Sequence, residues 1–257
     1  MTTISVKSMI RRDRWIVCFS LFSVTALAWF YLTLLAVDMN DMAATTKIRV
    51  VPWTAVDFGL MFVMWAVMMV GMMVPSATPM ILMFTKINRN QRSNAEPFVH
   101  TGIFVAGYIA VWSAFSLAAT MLQLGLQDAA LVSPMMASAN AIYSGLVLVA
   151  VGLYQWTPFK NACLRQCQTP LSFLMTRWRD GVGGAFSMGF SHGAYCVGCC
   201  WALMALLLVG GVMNFLWIAA ISIFVLAEKI TRVGLWVPRA SGVVLIAWGI
   251  GTIIMAR

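Results

Sequence analysis

Seven apolar stretches, over residues 16–37, 58–84, 98–124, 134–156, 185–209, 213–228 and 239–256, dominate this chain and leave little choice of fold. A helix that crosses a bilayer needs about 20 mostly apolar residues, because the hydrocarbon core is ~30 Å thick and each residue rises ~1.5 Å. The composition agrees. The chain is 61% hydrophobic and 10% charged, with a mean hydropathy of +0.88, whereas soluble domains carry roughly 45–50% apolar and about 25% charged residues. A water-soluble fold of this size could not hide so much apolar surface. The runs are continuous rather than alternating, which excludes a membrane β-barrel. The expected fold is all-α: one polytopic transmembrane bundle over residues 1–257, with about seven spans. The sixth stretch is short, and a re-entrant course for it stays open.

Charge placement gives the orientation. Lys7, Arg11, Arg12 and Arg14 precede the first span; Lys86, Arg89 and Arg92 follow the second. Lys160, Arg165, Arg177 and Arg179 follow the fourth, and Lys229, Arg232 and Arg239 follow the sixth. These are fourteen of the seventeen basic residues, all on alternate loops; only Lys47, Arg49 and Arg257 fall on the other side. By the positive-inside rule the N-terminus is cytoplasmic and the C-terminus lies outside. The net charge of +9 is then an orientation signal, and no nucleic-acid partner is implied. Residues 1–28 imitate a cleavable signal peptide, but the apolar run continues from Ile16 to Val37, longer than a signal core of about 7–15 residues. It reads as an uncleaved span. The outer loop 38–57 carries Asp38, Met39, Asn40, Asp41 and Met42. The inner segment 157–184, with Pro158, Cys163, Cys167, Pro170 and Trp178, reads as an amphipathic piece at headgroup level.

The sharpest chemical feature is Ser191-His192-Gly193-Ala194-Tyr195-Cys196-Val197-Gly198-Cys199-Cys200-Trp201, inside the fifth span. At 100° per residue, Cys196, Cys199 and Cys200 fall at about 40°, −20° and 80° from His192. Four soft ligands share one arc. A cysteine alone reads as a small apolar residue that packs well between helices. An intramembrane histidine is different, because polar groups there are expensive and default to functional sites. Together the four point to metal or redox chemistry. A disulfide staple is disfavoured on the reducing cytoplasmic side.

The second span carries Met61, Met64, Met68, Met69, Met72, Met73, Met80 and Met83. With Met61 at 0°, Met68 and Met72 fall near −20° and 20°, so a thioether stripe runs through the membrane. Thioethers suit Cu(I); they also fill packing gaps. Pro75 and Pro79 free backbone carbonyls in the same span. Cys163 and Cys167, one turn apart, form a weaker pair at the inner side. Glu228 reads as an interfacial residue beside Lys229, and Gly189-x3-Gly193 as a close helix contact. No Walker loop, nucleotide fingerprint or serine-nucleophile motif is present, so ATP-driven pumping is not encoded; a binding protein is favoured over an enzyme, and the enzyme reading stays open.

The run from His192 to Met204 resembles the signature of a bacterial family described as predicted metal-binding integral membrane proteins (domain of unknown function 2182). Supporting segments are Met64 to Ser76, Tyr154 to Lys160, and Cys163 with Cys167; together they cover most of residues 55–256. The resemblance implies a multi-pass protein of the bacterial inner membrane with a metal role. It supplies no substrate.

Three function classes follow. One is a Cu(I) handler, for transport or delivery to a membrane cuproenzyme, with His192, Cys196, Cys199 and Cys200 as the site and Met68 and Met72 as relay ligands. Another is a thiol–disulfide oxidoreductase using the Cys196-x-x-Cys199 pair. The third is an accessory subunit of a larger membrane complex. Zinc is the lesser alternative to copper: one rigid helix cannot wrap a tetrahedral ion, and methionine is a good ligand for Cu(I) and a poor one for zinc.

Overall fold

The computed structural model describes residues 15–35, 54–92, 101–129, 140–212, 214–231 and 236–256. The outer Asp/Met loop at 38–42, the basic residues before the first span and the first part of the fourth stretch lie outside them. The described chain is helical, with no strand among the described residues. The helices are α1 (Trp15–Leu35), α2 (Ala55–Arg92), α3 (Thr101–Asp128), α4 (Ala141–Tyr154), α5 (Pro158–Gln168), α6 (Pro170–Arg177), α7 (Gly181–Ala205), α8 (Leu207–Gly210), α9 (Phe215–Ile230) and α10 (Trp236–Met255). Five of them, α1, α2, α3, α7 with α8, and α10, are long and apolar enough to cross a membrane. The bent pair α4–α5 makes a sixth if it is one span. Helix α9, with 16 residues, falls short of the ~20 that a full crossing needs.

Helix directions follow from the contacts between helices. Phe84 stacks on Phe104 at one end of α2 and α3, while Trp65 donates to Gln123 at the other, 2.7 Å; the two helices are antiparallel. Helices α3 and α7 are parallel: Gly189 meets Phe104, and Gly193 meets Tyr108 and Val111. Helix α9 runs back along α7, with Trp217 bonded to Leu206 O and Lys229 to Cys196.

Glycines permit this closeness. A Cβ on Gly189 would stand 1.9 Å from Phe104 O, so α3 and α7 touch backbone to backbone, as small residues allow between membrane helices. The α4–α10 pair does the same twice, at Gly145 with Gly249 and at Gly152 with Gly242.

Helix α2 passes through Pro75 and Pro79 without a break. A proline cannot donate to the carbonyl four residues back. For Pro75 that acceptor is Gly71 O, and the indole Nε1 of Trp29 on α1 supplies the bond at 3.2 Å. The proline thus gives α1 its polar anchor on α2.

The 157–184 segment forms two short helices that pack against the bundle. Helix α4 ends at Tyr154, and the chain bends by 65° into α5, with Pro158 at the first turn and Thr157 capping Lys160 N. Helices α5 and α6 then pack inward: Phe173 and Leu174 are fully buried, and Cys163 is nearly so. Trp178 stacks on Phe84, 5.7 Å between centroids. The apolar face covers the cysteine-bearing turns of α7 and the end of α2, a partner that the local pattern cannot reveal.

A candidate soft-metal centre on α7

Small residues dominate the cysteine-bearing turns of α7, so other helices can close on its sulfurs. His192, Cys196, Cys199 and Cys200 are all buried, at 3%, 0%, 2% and 1% exposure, and all six cysteines of the chain are free thiols.

Cys196 is the hub. Its Sγ lies 3.1 Å from the Tyr108 hydroxyl of α3 and accepts from Lys229 Nζ of α9 at 2.9 Å. The same ammonium donates to Ser76 Oγ of α2 at 2.8 Å, and the Tyr108 hydroxyl also contacts Met73 O at 3.1 Å. Three helices therefore meet at one sulfur, and α2 joins them through Lys229 and Tyr108. The thiol of Cys200 interacts with that of Cys196, donates to Cys196 O at 2.9 Å and lies 3.9 Å from the Met73 thioether. Cys199 turns the other way. It donates to Cys196 O at 3.1 Å and interacts electrostatically with the Cys167 thiol of α5.

The remaining sequence candidates fall around this hub. His192 is boxed by aromatic rings, stacked on Tyr108 at 5.6 Å and on Phe104 at 6.3 Å, with Phe173 edge-on at 5.7 Å. Its Nδ1 is buried without a hydrogen-bond partner. Met68 and Met72 are buried in the core of α2, and the thioether that reaches the thiols is that of Met73. Cys163 sits under Gly198, where a Cβ would be 2.8 Å from its sulfur. Tyr108, Ser76 and Lys229 are additions that the motif did not announce.

Glu228 is enclosed, 2% exposed, and Lys160 bonds both its oxygens at 2.9 Å. Gln155 completes the pair as an acceptor for Lys160. Beside the start of α7 an open cavity of about 400 Å³ reaches Ser191, next to His192, and is bordered by Arg177, Arg179 and Ser187.

Among the described residues, no three His, Cys, Asp or Glu side chains converge as a metal-holding group. The convergent donors are two thiols and a thioether. That set fits a soft, low-coordinate monovalent ion better than a tetrahedral one, since thiolate and thioether ligands select Cu(I) while structural zinc takes four Cys or His ligands.

No curated protein and no solved structure matches the chain. One family profile does: PpoB2, described as a copper chaperone, matches residues 62–252, a stretch that runs from α2 to α10 and holds every residue of the centre. The chain belongs to the PpoB2 copper-chaperone family.

Proposed function

We propose that this protein is a multi-pass membrane carrier of Cu(I) that hands the ion to a membrane cuproenzyme. Cys196 and Cys200 hold the ion as thiolates and Met73 contributes a thioether from α2. Cys199 with Cys167 offers the next pair of thiols, His192 lies one turn away, and Met68 and Met72 continue the thioether line along α2. Several weak soft sites in sequence suit a carrier, because the ion must leave as readily as it enters. The antiparallel pairs α2–α3, α7–α9 and α4–α10, with α3 and α7 parallel, support a bundle of about seven segments, with a cytoplasmic N-terminus read from the charges, in a bacterial inner membrane.

The observation that carries this reading is the buried contact of the Cys200 thiol with the Met73 thioether, 3.9 Å, one turn from the equally buried Cys196, in a chain of a copper-chaperone family. The test is metal analysis of the reduced, detergent-purified protein. Cys196→Ser and Cys200→Ser should each lower Cu(I) occupancy at least about tenfold, the loss of roughly 1.4 kcal/mol of binding. Cys18→Ser should leave it unchanged. A protein that carries zinc stoichiometrically and rejects Cu(I) would overturn the reading.

A further inference from the structure

The cluster contains one group that a cation-binding site would be expected to avoid. Lys229 is 7% exposed, and its ammonium lies 2.9 Å from the sulfur of Cys196. A buried charge is retained only where something compensates it. The neighbouring charges do not serve, because Glu228 and Lys160 already neutralise each other at 2.9 Å. Ser76 supplies a hydrogen bond to Lys229 and no charge. The counter-charge within contact is the sulfur.

We infer that Lys229 sets the site's preference for a monovalent over a divalent ion, by acting as the fixed counter-cation of a two-thiolate complex. The inference rests on the copper reading above. Two thiolates around Cu(I) carry one net negative charge, and the Lys229 ammonium cancels it. The same thiolates around Zn(II) are already neutral, so Lys229 would then stand as an uncompensated buried cation. Softness alone ranks Cu(I) above zinc; the ammonium adds a charge criterion to that ranking.

The arrangement has the right mechanics for this role. Lys229 comes from α9 and the sulfurs from α7, so the ammonium can hold Ser76 on α2 while copper occupies the side of Cys196 that faces Cys200 and Met73. Its contribution is electrostatic positioning and not ligation. Arginine would preserve the charge; methionine would remove it and keep most of the volume.

The experiment uses the full chain, reduced and in detergent, titrated separately with Cu(I) and Zn(II) against chromophoric chelators of each ion. Lys229→Met should weaken Cu(I) and strengthen Zn(II), lowering the ratio of affinities by on the order of 100-fold, as expected for removing a unit charge a few ångströms away. Lys229→Arg should hold the ratio within about threefold, a difference of less than one kilocalorie per mole. Lys229→Gln, which can keep the bond to Ser76, gives the same reading should the methionine variant fail to fold. An unchanged ratio in either folded neutral variant overturns the charge criterion and leaves the copper reading intact. A wild-type protein that does not bind Cu(I) removes the copper reading itself, and this inference with it.

Discussion

Lys160 and Lys229 are both buried, both come from segments that looked like cytoplasmic loops, and both lie within one layer of the fold. They differ in what they face. Lys160 meets the two oxygens of Glu228 and the amide of Gln155, a closed set in which charge is met by charge. Lys229 meets a hydroxyl and a thiol. The first arrangement joins α5 to α9, helped by Gln168, which bonds Glu228 O at 2.7 Å. The second has a counter-group that can change its own charge and can bind a metal. Burial by itself does not separate the two lysines. The chemistry of the partner does.

The largest effect should come from opening the closed pair. Lys160→Met leaves Glu228 buried without its ion-pair partner, and removing one partner of a buried pair costs roughly 3–5 kcal/mol. Lys229→Met should cost no more than about 1.5 kcal/mol, because a thiol is mostly neutral in water at pH 7 whereas a carboxyl is mostly ionised, so Cys196 need not stay charged alone. Ser76 Oγ still has Met73 O as acceptor, at 2.8 Å. Thermal unfolding in detergent reads both. Lys160→Met combined with Glu228→Met should recover most of the loss, since an apolar replacement of a buried pair is often neutral. If the two single lysine changes prove equally damaging, the contrast between them is broken.

A smaller effect is expected at Tyr108. Tyr108→Phe removes the hydroxyl that touches Cys196 Sγ and Met73 O and keeps the ring stacked on His192. A lost hydrogen bond of this kind costs about 0.5–1.5 kcal/mol, visible as a modest drop in the unfolding midpoint with the fold retained. Collapse of the fold on this change would mean that the sulfur side is as rigid as the Lys160 side, contrary to the comparison.

The sequence carried the all-helical apolar architecture and the close helix contact at Gly189 and Gly193, because these are local patterns with a fixed helical period. It did not carry the depth of Lys160 and Lys229. Counting charges by loop treats every lysine beyond the end of an apolar run as solvated, and Glu228–Lys229 closes such a run. The signal was present in a weaker form: a carboxylate and an ammonium together inside the last turn of an apolar helix are costly to bury and so point to partners elsewhere in the fold. Tyr108 lies 88 residues from Cys196, and no single-helix projection reaches across that distance. The break between α4 and α5 was readable from Pro158, but its inward course depends on burying Phe173 and Leu174 against other helices. In the same way a helical wheel orders the methionines of α2 about their own axis, while only the neighbours decide which of them faces sulfur.

That last point gives the smallest and most specific prediction. Met72 and Met73 are adjacent and equally buried, at 1% and 0% exposure, so composition and burial cannot tell them apart. The Sδ of Met73 lies 3.9 Å from Cys200 Sγ. Its carbonyl accepts from Ser76 and contacts the Tyr108 hydroxyl, which ties this turn of α2 to the cluster around Lys229. Leucine conserves most of methionine's volume, and such a swap usually costs under about 1.5 kcal/mol of stability, so both variants should fold. Met73→Leu removes the thioether next to Cys200 from the proposed Cu(I) site and should weaken Cu(I) by up to about tenfold, or 1.4 kcal/mol. Met72→Leu should leave the affinity unchanged within about twofold, well under one kilocalorie per mole. Neither change should disturb the Lys160–Glu228 pair, so their unfolding midpoints should stay close to the wild type's. Equal losses of Cu(I) affinity from the two variants would show that the thioether next to Cys200 acts through packing, and the centre would then rest on its thiols and on Lys229.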